Sequence, residues 1–300
     1  MHGLTSIVVV AADSGPLLQT CIASALASRA DIEVVLVDNA SSDGEVARAR
    51  DAHSHDPRLR VLYNDSNAGF GPACNRGAAV ARGDALLFLN PDCELKVDTV
   101  AALREALFND ARIGVLGVTV CDTHGRPARG NRRRDPTFRR ALATISGLSR
   151  FESTWPALAG IEMPAVTGET LETLEAVSGA CLLLPRAVFE HVGGFDEGYF
   201  LHAEDLDLCR RVRAMGFRVA IASALCVNHA QGSSSRHRPV FVARHKHRSM
   251  WRYFCRFDPA AKSPPLRGLV WAGIWTHFVV QAPLLTLQAV YRRMFDMRDN

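Results

Sequence analysis

Residues 84–94 read DALLFLNPDCE: five apolar residues, Ala85 to Leu89, close on an asparagine, a proline and an acid. A run this apolar on both alternating faces fits a strand covered on both sides, as strands of parallel sheets are. Similar short runs recur upstream and downstream, at residues 6–12 (SIVVVAA), 32–38 (IEVVLVD), 59–64 and 113–120. Between them the apolar spacing turns helical, over residues 15–28, 44–55, 71–82 and 97–108; in the first of these Leu17, Leu18, Cys21, Ile22, Ala25 and Leu26 share one face. Strands alternating with helices predict an α/β domain whose mostly parallel sheet is flanked by helices.

The pattern breaks after residue 120. Residues 121–175 are rich in proline and glycine and hold seven arginines between 126 and 140 (126, 129, 132, 133, 134, 139 and 140). An excursion of this length suggests a function, and acceptor binding is the expectation for it. Residues 176–184 then read as a strand, 204–215 as a helix closed by Gly216, and 217–222 as a further strand. From residue 236 onward the spacing is helical, first basic and then apolar. Two units are expected: a catalytic or binding domain over 1–235, and a helical extension over 236–300.

Of the 300 residues, 48% are hydrophobic and 22% charged, which excludes a disordered chain, a collagen and a coiled coil. The eight cysteines form no C-x-x-C pair, so a zinc ribbon is not expected; lying apart in apolar surroundings, they read as reduced thiols of a cytosolic protein. Residues 6–12 are too short and lack the basic flank of a signal peptide. The net charge of +4 is unevenly spread: residues 236–300 carry twelve Lys and Arg against three Asp and Glu, or +9, leaving −5 for the rest. That basic tail flanks an apolar stretch, residues 268–290, interrupted by Thr276, His277, Gln281, Pro283, Thr286 and Gln288 and bearing Trp271 and Trp275 at four-residue spacing. The expectation is peripheral attachment to an anionic membrane surface, at the cytoplasmic face, rather than spanning. The arginine run is a candidate for steering an anionic acceptor. Its only interleaved aromatic is Phe138, so nucleic acid is not expected as a partner.

Four places can carry chemistry. Asp38 ends a strand where open α/β sheets bind ligands, and can bond a nucleobase or ribose; alternatively it serves the turn that follows. Asp92, projecting from a strand tip in Asn90-Pro91-Asp92, suits a hard divalent cation such as Mg²⁺ or Mn²⁺, or simply a solvated turn. Glu204 and Asp205 open a helix, where a fixed carboxylate can act as general base or merely favour the helix dipole. His229 stands where an imidazole can complete a metal shell begun by Asp92, or is simply a structural histidine. The glycines at 69 and 71 match neither the P-loop nor the dinucleotide fingerprint, which disfavours a P-loop kinase or an NAD enzyme.

Taken together, VVLVDNASSDG, NAGFGPACNRGAAVARGDALLFLNPDCEL, SGACLLLPRAVFEHVGGFDEGYFLHAEDLDLCRRVRAMGFRV and NHAQGSSS resemble inverting glycosyltransferases of family 2, over about residues 4 to 257. The N-P-D and E-D-x-D-L forms are most similar to rhamnosyltransferase-like members acting on lipid-linked glycans of bacterial surfaces. The resemblance implies a GT-A fold, a single Rossmann-like sheet, and a C-terminal helical extension. It implies that Asp38 binds the uracil or thymine of a UDP- or dTDP-sugar, that Asn67, Asn75, Asp84 and Asn90 belong to the donor-binding segments, and that Asp92 and His229 hold Mg²⁺ or Mn²⁺. Asp205 would be the base, with Glu204 beside it, and the acceptor a glycan or a lipid-diphosphate-linked sugar.

Two departures from that pattern stand out. Asn90 replaces the first acid of the D-x-D motif, and Ala11-Ala12-Asp13 stands where a T-Y-N-like sequence usually ends the first strand. Two alternatives stay open at the level of sequence. A sugar-nucleotide nucleotidyltransferase would need a Gly-rich, cation-bearing loop after the first strand, but Asp13-Ser14-Gly15-Pro16 has one glycine and no cation. The missing acid keeps a non-catalytic nucleotide-sugar binding protein in view.

Overall fold

The computed structural model describes residues 3–122, 124–164, 170–230 and 238–296. In chain order the elements are β1 (Thr5–Ala11), α1 (Leu17–Leu26), β2 (Ile32–Asp38), α2 (Glu45–Ala52), β3 (Leu59–Tyr63), α3 (Phe70–Val80), β4 (Ala85–Leu89), β5 (Cys93–Glu94), α4 (Thr99–Asn109) and β6 (Ile113–Cys121). There follow β7 (Arg132–Arg133), α5 (Phe138–Ile145), β8 (Leu171–Leu174), β9 (Ala176–Val177), β10 (Cys181–Pro185), α6 (Arg186–His191), α7 (Glu204–Ala214), β11 (Arg218–His229), α8 (Pro239–Phe257) and α9 (Pro264–Asp296).

Nine strands form one sheet in the order β3-β2-β1-β4-β10-β6-β11-β5, with β8 also on β11. The β3-β2-β1-β4 half is parallel throughout, and β6 is parallel to β11; β10, β5 and β8 run against their neighbours. The reason for the double-sided apolar runs is visible in β1 and β4. Ile7, Val9, Leu87 and Leu89 pack with α1 and α4 on one face, while Val8, Val10, Leu86 and Phe88 pack with α3, α6 and α7 on the other. On that second face α3 lies so close to the sheet that a Cβ on Gly77 would sit 2.5 Å from Val8 Cγ1.

Three differences from the sequence reading matter for function. The strand expected over 176–184 is broken at Ser178-Gly179: β9 joins β7 in a separate ribbon and β10 enters the main sheet. The last strand does not stop at Ala222. It passes an irregularity between Ala222 and Cys226 and runs on to His229. Finally, the cysteines are not all thiols, because Cys121 and Cys226, on neighbouring strands, form a disulfide. Their separation of 105 residues hid the pairing; only the β6–β11 register brings them together.

Candidate active site at the carboxyl edge of the sheet

The loops leaving β1 and β2 are stitched to each other. Ser42 donates to Asp13 from its N–H (2.7 Å) and its hydroxyl (3.0 Å), and the N–H of Gly15 donates to Asp43 (2.9 Å). The Ser42 N–H lowers the Asp13 carboxyl below its ordinary value. Asp38, nearly buried, accepts the N–H of Ser41 at 2.8 Å and so shapes the turn that follows β2. Its neighbour Asn39 is the hub of the edge. It accepts from Asn64 Nδ2 (2.8 Å) and the Ala68 N–H (3.1 Å), and donates to Asn67 Oδ1 (2.9 Å) and the Gly69 carbonyl (3.1 Å). Asn67 is thus a brace of this loop.

Backbone strain collects here too. Among the described residues, those other than glycine with positive φ are Asp13, Ala40, His202 and Ala203, which follow β1, follow β2 and precede α7. Each such conformation costs on the order of 1 kcal/mol or more and persists where surrounding structure enforces it, often at functional sites.

The second part of the edge is built by β5 pairing antiparallel with the end of β11, His229 opposite Cys93. This places His229 Nε2 2.9 Å from Asp92 Oδ1, with both side chains largely buried. Asn90 Nδ2 lies 3.4 Å from the same nitrogen. Ligand atoms of Asp92, Cys93 and His229 fall within 4.8 Å of one another. A carboxylate oxygen with an imidazole nitrogen suits Mg²⁺ or Mn²⁺ when phosphate oxygens complete the shell. Cys93 does not fit that role. Burial pushes its thiol well above the usual range and it leans on the Ala180 carbonyl. Among the described residues the buried Nδ1 of His229 has no hydrogen-bond partner, and the strand register places the ring.

The third part is the start of α7. Asp205 Oδ2 accepts from Arg133 and from the N–H of Gly179 (2.9 Å), and Oδ1 accepts the N–H of Leu206 (2.8 Å). Burial alone would raise this carboxyl, but the charge and hydrogen bond of Arg133, with the two N–H donors, outweigh it and hold Asp205 below the ordinary range. Glu204 is treated oppositely. Burial, then the charge of Asp205, pushes its carboxyl up, and among the described residues its buried Oε2 has no hydrogen-bond partner. The two adjacent carboxyls are thus pushed in opposite directions, Glu204 up and Asp205 down, and titrate as a coupled pair.

Residues 178–180 join the second and third parts. The Gly179 N–H holds Asp205, and the Ala180 carbonyl accepts the N–H of Asn90 at 2.8 Å. A Cβ on Gly179 would lie 3.0 Å from that of Asp205.

The structure therefore gathers Asp38, Asn67, Asn90, Asp92, Glu204, Asp205 and His229 along the carboxyl edge. Two expected donor residues are placed otherwise. Asn75 Nδ2 donates to the Phe195 carbonyl (2.9 Å) and to Glu197 (3.0 Å), while its Oδ1 accepts the Phe195 N–H, so it clamps α3 to the loop before α7. Asp84 sits at the opposite, amino end of β4 in a two-pronged ion pair with Arg104, at 2.7 Å on each prong. The arginine run is also corrected in part. Arg132 pairs with Glu172, Arg133 with Asp205, Arg134 with Glu152 and Arg140 with Glu175, which ties the excursion to the domain; Arg126, Arg129 and Arg139 are exposed. Sequence reasoning missed Arg133, Asn39 and Gly179. Asn39 carried a signal, since an asparagine after a strand-ending acid can bond the backbone two ways. Arg133 carried none that set it apart from its six neighbours.

Comparison with known proteins agrees with this geometry. Residues 6–191 match the family Glycosyl transferase family 2, and residues 154–287 match Glycosyl transferase family 21. The chain is 30% identical over 284 residues to the N-acetylglucosaminyl-diphospho-decaprenol L-rhamnosyltransferase of Mycobacterium tuberculosis, covering 89% of each chain. It is 31% identical to O-antigen biosynthesis protein RfbC of Myxococcus xanthus over 77% of this chain but 18% of that one. In structure it is similar to the mannosyltransferase PcManGT of Pyrobaculum calidifontis, solved with GDP-Man and Mn²⁺ (TM-score 0.59, 18% identity, 97% of this chain and 74% of that one). It is also similar to S. aureus TarS solved with UDP-GlcNAc (TM-score 0.57, 15% identity, 93% and 81%). The nucleotidyltransferase and non-catalytic alternatives thereby give way, and the α/β chain with its GT-A sheet belongs to glycosyl transferase family 2 as an enzyme of glycosyl transfer.

Proposed function

We propose that this enzyme moves a sugar, L-rhamnose being the leading candidate, from a nucleoside-diphosphate donor to a lipid-diphosphate-linked or cell-surface glycan, with inversion. The observation that supports the reading is the link at residues 178–180, which holds the Asn90 backbone, next to the Asp92–His229 pair, and the Asp205 carboxyl on two sides of one edge. The similarity to a rhamnosyltransferase over most of both chains supports the substrate class.

In this reading Asp38 contacts the base of the donor at the end of β2, and the strained loops after β1 and β2 frame it. Asp92 and His229 hold Mg²⁺ or Mn²⁺. When bound there, the cation would supply Lewis-acid stabilisation of the charge on a departing diphosphate. Asn90, in place of an acid, leaves the site less negative and offers an amide beside His229. Asp205 takes the proton of the attacking hydroxyl. Held ionised by Arg133, it is a weak base, so the proton passes to it late, as the bond to the leaving group breaks. Burial, then the charge of Asp205, raises Glu204, which disfavours a second negative charge beside the base.

The tail supports work at a membrane surface. In α9 the stretch Pro264–Ala289 is long and apolar enough to cross a bilayer, and none of its most apolar window is buried within the protein. Yet His277, in its middle, bonds His247 of α8 at 2.8 Å, and Phe278 packs edge-on to the same ring. His277 is thus tied to α8, and with Gln281 and Pro283 it interrupts the apolar run, which favours a helix lying on an anionic, cytoplasmic leaflet. A donor screen tests the function: UDP- and dTDP-sugars, with and without Mg²⁺ or Mn²⁺, read as nucleoside diphosphate released on adding a lipid-diphosphate acceptor. Release from dTDP-L-rhamnose dependent on cation and acceptor is the expected result. Acceptor-dependent release with another donor only would overturn the sugar, and release indifferent to cation would overturn the site.

A further inference from the structure

The excursion carries an apolar surface that neither the donor site nor the ion pairs explain. On α5, Phe138, Leu142 and Ile145 follow one another at i, i+4 and i+7, so they line one stripe, while Ala143 is buried against the domain. Leu142 is 56% exposed and Ile145 83%, and the stripe continues past the helix through Leu148, Phe151 and Trp155, the last 64% exposed. Five large apolar side chains exposed within residues 142–155 are far from the scattered single ones of an ordinary surface.

We infer that residues 138–155 are a second membrane-docking element, seated in the headgroup region of an anionic bilayer beside α9. The inference rests on the membrane reading of α9 given above. Charge favours a lipid surface over a protein partner. Arg139 and Arg150 are exposed, whereas Glu152, the one acid between residues 137 and 158, is paired with Arg134 at 3.0 Å. Arg150 lies over the Phe151 ring (4.7 Å), an apolar body with a basic tip. Continuity with the tail is direct, because the Phe138 N–H donates to Asp258 Oδ2 (2.6 Å), and Asp258 closes α8 just before α9. The same excursion delivers Arg133 to Asp205. Docking at residues 138–155 therefore sets the candidate base against the membrane plane, where a lipid-linked acceptor presents its headgroup.

The test keeps Trp155 as the only tryptophan of the full-length protein (Trp251→Phe, Trp271→Phe, Trp275→Phe), with a sister protein keeping only Trp271. Both are titrated with vesicles of phosphatidylglycerol and phosphatidylethanolamine whose chains are brominated, and with phosphatidylcholine vesicles as control. The expected result is blue-shifted, quenched Trp155 emission with the anionic vesicles. Quenching of Trp271 without Trp155 overturns this inference and leaves the tail reading intact. Quenching of Trp155 without Trp271 overturns the tail reading and, with it, the placing of residues 138–155 as a second element beside α9. A blue shift of Trp155 that grows with protein concentration in the absence of lipid overturns the inference in favour of a second copy of the chain. A variant with intact tryptophans, Leu142→Glu with Ile145→Glu, changes exposed positions only and is expected to float with anionic vesicles about tenfold less, while hydrolysing soluble donor as the wild type does; unchanged flotation would overturn the inference.

Discussion

Replacing Arg133 by methionine removes one charge and little volume from beside Asp205. Both side chains are mostly buried, at 18% and 13% exposure, so solvent does not screen the pair as it would at the surface. At an effective dielectric of about 20 and roughly 4 Å, such a charge pair is worth about 4 kcal/mol. Water entering the gap and the remaining N–H donors of Gly179 and Leu206 return part of this. At 1.36 kcal/mol per pH unit, the acidic limb of the activity profile should move up by about one to two pH units. The sign follows from the base needing to be ionised: without Arg133, Asp205 protonates at a higher pH. Arg133→Lys keeps the charge and should leave the limb near its wild-type position. Stability gives a second check. A carboxyl lowered on folding contributes stability above its unfolded value and loses it as pH falls through its folded value. Arg133→Met should therefore cost about 1.5–2.5 kcal/mol near neutral pH, measured by urea unfolding, and the cost should shrink in acid. An acidic limb that stays in place in Arg133→Met would refute the assignment of Asp205 as the titrating base.

Other outcomes follow from the same geometry. Asp92→Ala should lower transfer about a hundredfold or more and weaken Mn²⁺ binding seen by electron paramagnetic resonance; His229→Ala should weaken Mn²⁺ binding about tenfold with a smaller loss of rate. Gly179→Ala pushes a methyl to 3.0 Å from the Asp205 Cβ and should lower kcat about tenfold while donor KM holds. Asp84→Asn leaves the buried Arg104 guanidinium half-paired; with Asp84 itself 55% exposed, the loss should be about 1–2 kcal/mol in stability, with donor KM unchanged. A raised donor KM there would return Asp84 to the donor site.

The alternating half of the fold was legible because each parallel strand must be apolar on both faces and each helix on one. That requirement writes β1 to β4 and α1 to α4 directly into the spacing. The later strands were harder to read. The β9–β10 break depends on Val177 and Cys181 serving different sheets, and the extension of β11 to His229 depends on pairing with β6 and β5. Neither is a property of the local residues. The site divides in the same way. Acids at strand and helix ends announce themselves, as Asp38, Asp92 and Asp205 do. Their partners do not: Arg133 reaches Asp205 across 72 residues, and Gly179 across 26. A run of seven arginines looks like a charged surface until the acids that consume four of them are known. Asp84 differs: it precedes β4, at the strand's amino end, and it entered the donor set through the resemblance alone.

The most direct measurement is Asp205→Asn assayed for both donor binding and transfer. The amide keeps the shape and can still accept the N–H of Gly179, but it cannot take a proton from the acceptor hydroxyl. Donor affinity by calorimetry should stay within about twofold, while acceptor-dependent release of nucleoside diphosphate should fall by about three orders of magnitude. Transfer by Asp205→Asn at the wild-type rate would contradict the account.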